Sequence, residues 1–143
     1  MTRHEARELA FILLFERTFT QEAIAEILLS AGEARDVESD AFALSAAEGT
    51  VDHLEEVDGL IEAFSRKWNK DRLSRVALSI MRLAVYEMLY EESSPVSVSI
   101  NEAVALAKKY GGADDPSFIN GVLGGIARRD TATADTTEEA GPQ

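Results

Sequence analysis

Helical spacing of apolar residues, sustained along most of 143 residues that include only three prolines, constrains this chain more than any other feature. Val51, Leu54, Val57, Leu60, Ile61, Phe64 and Trp68 recur at intervals of three and four, the pattern of a helix with one buried face. Leu73, Val76, Ala77, Ile80, Leu83 and Ala84 repeat it. No segment shows the period-two alternation of a half-buried strand, so the spacing predicts an all-α protein. The stretch DDPSFINGVLGGIARR, residues 114–129, is the hardest case, because Asn120-Gly121 and Gly124-Gly125 are hairpin dipeptides. Phe118, Ile119, Val122, Leu123 and Ile126 nevertheless keep helical intervals, and helix is the better reading. Each glycine inside it costs about 1 kcal/mol relative to alanine. Gly121 is therefore expected where a neighbouring helix leaves no room for a Cβ, and Gly124 and Gly125 in a weakened or kinked last turn.

Caps and breakers divide the chain into about seven helices. The first spans about His4 to Arg17, and Thr20 is placed to cap a second that carries Ile24, Ile27 and Leu28 and stops at Gly32. Ser39 or Asp40 caps a third reaching Glu48, which Gly49 breaks, and Thr50 or Asp52 opens the fourth. Asn69 or Asp71 starts the fifth, which ends near Glu91 or Glu92, ahead of Ser93-Ser94-Pro95. Ser99 with Glu102 has capping-box spacing for the sixth, with Ser97 as the alternative cap, and Gly111-Gly112 terminate it after Tyr110. Asp115-Pro116 signals the start of the seventh. From Asp130 onward TATADTTEEAGPQ has no apolar period, so a single domain of residues 1–129 is expected to carry a disordered acidic tail, 130–143.

Several functions are excluded early. Without cysteine there is no disulfide framework, thiol nucleophile or cysteine-ligated metal. The apolar run Leu9–Phe15 is too short for a membrane span, and Glu5 and Glu8 are foreign to a signal peptide, so the expectation is a cytoplasmic protein with no membrane partner. His4 and His53 lack metal-ligand spacing, which predicts no metal site. Asn101 is expected as a buried hydrogen-bonding residue. No phosphate loop, dinucleotide fingerprint or serine elbow is present, and the reading is a protein that is not an enzyme and needs no cofactor.

The net charge of −12 is unevenly distributed, with residues 22–62 holding twelve acids against one arginine. That block reads as a solvated helical surface, while the segment 63–129 is mildly basic. Two basic constellations stand out. Arg3, Arg7, Phe11 and Phe15 lie four residues apart, so guanidinium groups suited to phosphate and rings suited to unpaired bases share one helical stripe. Lys67, Lys70, Arg72 and Arg75, with Arg66 and Trp68, form a second cluster that could track a phosphate backbone. Lys108-Lys109 and Arg128-Arg129 are accounted for as cations in the last turns of two helices.

Four pieces in order, ARELA with Phe15 further along, IMRLAVYEML (80–89), PVSVSINEAVALAKKYG (95–111) and FINGVL (118–123), resemble the NusB family of bacterial transcription antitermination factors. The resemblance implies a bundle of about seven helices in two small helical subdomains. It also implies binding of boxA single-stranded RNA together with NusE, a small-subunit ribosomal protein, and read-through by the RNA polymerase elongation complex with other Nus factors in ribosomal RNA operons. Arg3 and Arg7 match the family's arginine-rich N-terminal motif, Phe15 its aromatic, and Asp114 an acid before the last helix that influences RNA binding. Ala77 falls on the helix that faces the partner, where an acidic or polar residue is usual, and Phe15 on the first helix is implied to bind the partner as well. His4 and Glu5 thin the arginine motif, which implies fewer neutralised phosphates and a shallower salt dependence. Arg7→Ala is expected to weaken RNA binding and leave thermal stability nearly untouched. Two further readings are a helical protein-binding adaptor without RNA contact, and a detached NusB-like domain working with a ribosomal RNA methyltransferase.

Overall fold

The computed structural model describes residues 1–35, 40–65 and 73–138, with side-chain surroundings described for 1–30, 40–65 and 73–129. Seven helices and no strand occur among the described residues: α1 (Arg3–Thr20), α2 (Ile24–Arg35), α3 (Ala41–Asp52), α4 (Leu54–Phe64), α5 (Arg75–Tyr90), α6 (Val96–Tyr110) and α7 (Asp115–Glu138). The all-α expectation holds. The first three helices pack together, as do α4–α7, and contacts of α5 with α1 and α3 join the two groups. One continuous core runs through both, with Phe11, Leu13, Ile61, Ile80, Met81, Leu83, Leu123 and Ile126 fully enclosed.

Several boundaries differ from their sequence signals, each for a local reason. The Thr2 hydroxyl accepts from the Glu5 amide and the Glu5 carboxylate takes the Thr2 amide, a capping box that starts α1 at Arg3. Thr20 closes α1 rather than capping α2, and Gln21 follows in the left-handed region with φ 62°. Gly32 does not stop α2, which continues to Arg35. Asp40 does cap α3, accepting from the Ala43 amide at 3.0 Å. Ser74 caps α5, accepting from the Ala77 amide at 3.0 Å, so the helix begins after Leu73. Neither Ser97 nor Ser99 caps α6. The helix opens at Pro95, whose fixed φ suits the position, and Ser99 is buried inside it.

Two glycines are explained by close approach, and neither is the expected one. A Cβ at Gly49 would overlap the Tyr86 ring, so glycine there lets α3 pass α5 rather than break, and α3 continues to Asp52. A Cβ at Gly125 would lie 3.3 Å from Phe64 of α4, so this is where α7 is approached closely. Gly121 has open space around the Cβ position, contrary to the expectation for it. The helix does not weaken at Gly124-Gly125, because α7 extends through Glu138. Its backbone thus continues beyond Arg129, and Arg128 and Arg129 lie mid-helix rather than in a last turn. Trp68 lies outside the described residues.

Candidate nucleic-acid interface

The first helix organises the site. It lies alongside α3 in the same direction, since Arg3 near one start stacks on Phe42 near the other, with the guanidinium carbon 3.9 Å from the ring centroid. It runs against α5 in the opposite direction, since Arg7 meets Glu87 near the end of α5 while Thr18 meets Arg75 at its start. Phe42 belongs to the acidic block read from the sequence as a solvated helical surface. The start of α3 instead forms a wall beside Arg3, with Asp40 and Ala41.

The predicted stripe divides along the helix. Arg3 is exposed, but Arg7 is 3% exposed and its guanidinium is held by both Glu87 and Ser94. Its Nε donates to both Glu87 carboxylate oxygens, at 2.9 and 3.1 Å, and its Nη2 donates to the Ser94 hydroxyl at 3.0 Å. A phosphate could reach this guanidinium only by displacing Glu87, so the free phosphate ligand expected at Arg7 is absent. The cause is visible in the spacing that first suggested the stripe. A side chain four residues before Phe11 shares its face, and Phe11 is buried in the core. Burial pushes the Glu87 carboxyl upward from the usual range, opposed by the Arg7 hydrogen bonds and charge.

Further along, Phe15 is half-buried in the middle of a ring ladder. Its centroid lies 6.2 Å from Phe11 and 5.2 Å from Phe19, the latter contact edge-on, and Tyr110 packs against Phe11 at 5.1 Å. Phe19 is 61% exposed, with the Arg75 guanidinium 4.4 Å from its ring centroid. Arg75 also donates to the Thr18 carbonyl at 3.0 Å, closing the C-terminal turn of α1. Phe19 was missed in the sequence although it continues the four-residue series Phe11, Phe15. Phe42 had no local signal, because it meets Arg3 only through the packing of α3 on α1.

The other candidates divide as well. Ala77 is 1% exposed and stands in the first turn of α5, so it cannot face a partner, contrary to expectation. Asp114 is exposed in the α6–α7 loop, and its carbonyl accepts from the Phe118 amide at 3.1 Å. The neighbouring Asp115 carboxylate takes the Gly112 amide at 3.0 Å and holds the loop closed. Asn101 is exposed rather than buried. Lys67, Lys70 and Arg72 lie outside the described residues.

Between Arg3 and Phe19, α1 is tied to α6 by polar contacts. His4 Nδ1 meets a Glu102 carboxylate oxygen at 2.6 Å, and Glu8 accepts from Lys109 Nζ at 2.6 Å and from the Tyr110 hydroxyl at 2.9 Å. The Lys109 hydrogen bond holds the Glu8 carboxyl below its ordinary value. The site thus has two exposed poles, Arg3 on Phe42 and Arg75 on Phe19, sixteen residues or about 24 Å apart along one helix. Cation-on-ring pairs of this kind suit phosphate and stacked bases at once. Among the described residues no group of His, Asp and Glu could hold a metal ion, and no helix is long and apolar enough to cross a membrane.

Known proteins resemble this chain over most of its length. The transcription antitermination protein NusB of Acetivibrio thermocellus is 39% identical over 140 residues, covering 96% of this chain and 97% of that protein. The protein of the same name from Exiguobacterium sp. is 40% identical over 130 residues, covering 91% of this chain and 100% of its own. The match therefore spans these relatives end to end rather than one domain of a longer enzyme. Among solved structures, a chain in the crystal structure of antitermination factors NusB and NusE in complex with double-stranded RNA superposes with a TM-score of 0.77. It is 29% identical, with 90% of this chain and 99% of that one covered. Residues 4–128 match the profile of the NusB family, and the chain belongs to that family.

Proposed function

We propose that this chain is a transcription antitermination factor that binds boxA-type single-stranded RNA together with NusE and promotes read-through by RNA polymerase, with other Nus factors, in ribosomal RNA operons. The observation that carries the proposal is the exposed Arg3–Phe42 pair at the start of α1, in a chain that superposes on one chain of the crystal structure of NusB and NusE with double-stranded RNA. Arg3 contacts phosphate, and Phe42 offers a ring face beside it. Arg7 serves the same surface from inside, by fastening α1 to α5. Phe15 and Phe19 with Arg75 form the partner-facing end, in place of the buried Ala77. Lys67, Lys70, Arg72 and the exposed Asp114 are assigned to the edges of the RNA path. The working unit is residues 1–129, acting in the cytoplasm, and no chemical step is involved.

The mechanism is assembly. With few cations on the surface, affinity for RNA alone is low, and NusE raises it by covering ground beside the bound strand. The test is a titration of boxA RNA with and without NusE, at low and moderate salt. NusE is expected to tighten RNA binding, and unchanged affinity overturns the reading. Arg3→Gln should lower the slope of log affinity against log salt by about 0.7, the share of one phosphate on a single strand. Truncation after Arg129 should leave both affinities in place.

A further inference from the structure

The cleft at the C-terminal end of α1 shares Arg75 with the partner-facing end described above, and its other features, Arg17 and Arg82 among them, are not used by that reading. Its volume is about 380 Å³, within the range of small-molecule sites, and it lies between α1, the α3–α4 junction and the start of α5. Three guanidinium groups, those of Arg17, Arg75 and Arg82, line it, and no carboxylate does among the described residues. Arg82 is locked in place, with Nε and Nη2 each donating to one oxygen of Asp58 at 2.8 Å. Arg75 is held by the Thr18 carbonyl and the Phe19 ring, with no ion pair to an acid among the described residues. The Arg17 side chain makes no hydrogen bond or ion pair with any described residue. A chain with net charge −12 therefore gathers around a single cavity two arginines without a direct ion pair among the described residues and a third, rigid one, although Glu22, Glu48 and Asp52 share an adjoining cavity with Arg17. Leu54, Leu73 and Leu78, with Leu14 and Val51, supply the apolar part of its lining.

We propose that this cleft binds one nucleotide unit, its phosphoryl group on the arginines and its base and sugar on the apolar lining. A guanidinium fork matches two phosphate oxygens, and Arg17 and Arg75 keep donors free for that purpose. Bare phosphate would leave the apolar lining uncovered and most of the volume unfilled. The proposal requires neither NusE nor boxA, although Arg75 belongs both to this cleft and to the partner-facing end of the function argued above. A phosphoryl group on a nucleoside can come from a free mononucleotide or from one residue of an RNA strand, and the experiment separates the two.

The full chain, labelled with nitrogen-15, is titrated with adenosine monophosphate, adenosine, a short adenine-rich single-stranded RNA without boxA, and a glutamate-rich peptide. Arginine Nε signals and calorimetry provide the readouts. Expected is a shift of the Arg17, Arg75 and Arg82 signals with the monophosphate and none with adenosine, with Arg17→Gln weakening the monophosphate about tenfold or more. Because Arg17 bonds no described residue, that variant should fold normally, and Arg128→Gln serves as the exposed control. Competition by the RNA assigns the site to a strand residue, and its absence assigns it to the free nucleotide. No shift with either phosphoryl compound, equal effects of Arg17→Gln and Arg128→Gln, or stronger shifts with the peptide each overturn the proposal.

Discussion

Arg7→Ala removes a guanidinium that the fold encloses, and its consequence can be worked out from the ion pair. The two side chains are 4% and 2% exposed, so neither charge has a water shell to return to. Opposite charges about 4 Å apart attract by about 4 kcal/mol at an effective dielectric near 20. Without Arg7, Glu87 has two options. It can stay ionised and unpaired inside the core, at a cost of about 3–5 kcal/mol. Alternatively it can take up a proton, which at pH 7 costs about 1.4 kcal/mol for each unit above an ordinary value near 4.3, or about 3.7 kcal/mol. The cheaper route limits the loss to about 3–4 kcal/mol at pH 7, on the order of 10 °C in melting temperature for a chain of this size. The second route adds a signature, since protonation becomes cheaper as the medium acidifies. The deficit should shrink to about 1 kcal/mol at pH 5. Urea unfolding of wild type and variant at the two pH values measures both quantities. Arg7→Met with Glu87→Leu should recover most of the loss, because an apolar pair of similar volume replaces the ions. RNA affinity of the folded single variant should stay within a few-fold of wild type. A variant within about 1 kcal/mol of wild type at pH 7 whose RNA binding collapses would refute this reasoning and return Arg7 to direct contact with RNA.

Further outcomes are expected elsewhere. Gly121→Ala should stabilise by up to about 1 kcal/mol, since α7 gains helix propensity and the new methyl meets nothing, whereas Gly49→Ala should cost about 1–3 kcal/mol by pressing on Tyr86; thermal melts distinguish them. Glu8 has its carboxyl held low, chiefly by the Lys109 hydrogen bond, so its contribution is present above the unfolded value near 4.3 and is lost as pH falls through the folded value. Glu8→Gln should therefore lower stability at pH 7 and leave it nearly unchanged at pH 2, as followed by circular dichroism. Phe42→Ala should weaken RNA binding at unchanged salt slope, because it removes a ring and no charge, and a change in slope would contradict that role.

The helices were legible because a buried face imposes its period on the residues that form it, as in α4 and α5. Their ends were less so where two signals compete. Thr20 and Ser99 are both competent caps, yet Thr20 falls inside α1 and Ser99 is carried into the core by its place on the inner face of α6. Gly49 shows the same limit from the other side, since only the Tyr86 ring, 37 residues away in the chain, explains it. At the site, Arg3 and Phe15 could be found by spacing, whereas Phe42 could not, because its partner lies on another helix. Arg7 was misjudged for a definite reason. An arginine looks solvent-facing by type, and nothing within a few residues announces that Glu87 and Ser94 will meet it.

The ties of α1 also bear on how the chain comes off the ribosome. Its polar partners, Glu87, Glu102 and Lys109, stand 80, 98 and 101 residues downstream. At a synthesis rate of roughly 5–20 residues per second, α1 emerges about 4–20 s before the groups that fasten it exist. Through that interval Leu9, Phe11, Leu13 and Leu14, all buried in the finished fold, have only α2 and α3 to lie against, and the side they turn to α5 and α6 stays uncovered. The opening helix is thus a ready client for a chaperone that grips short apolar segments, and the Arg7–Glu87 pair marks the point in synthesis at which that grip can be released.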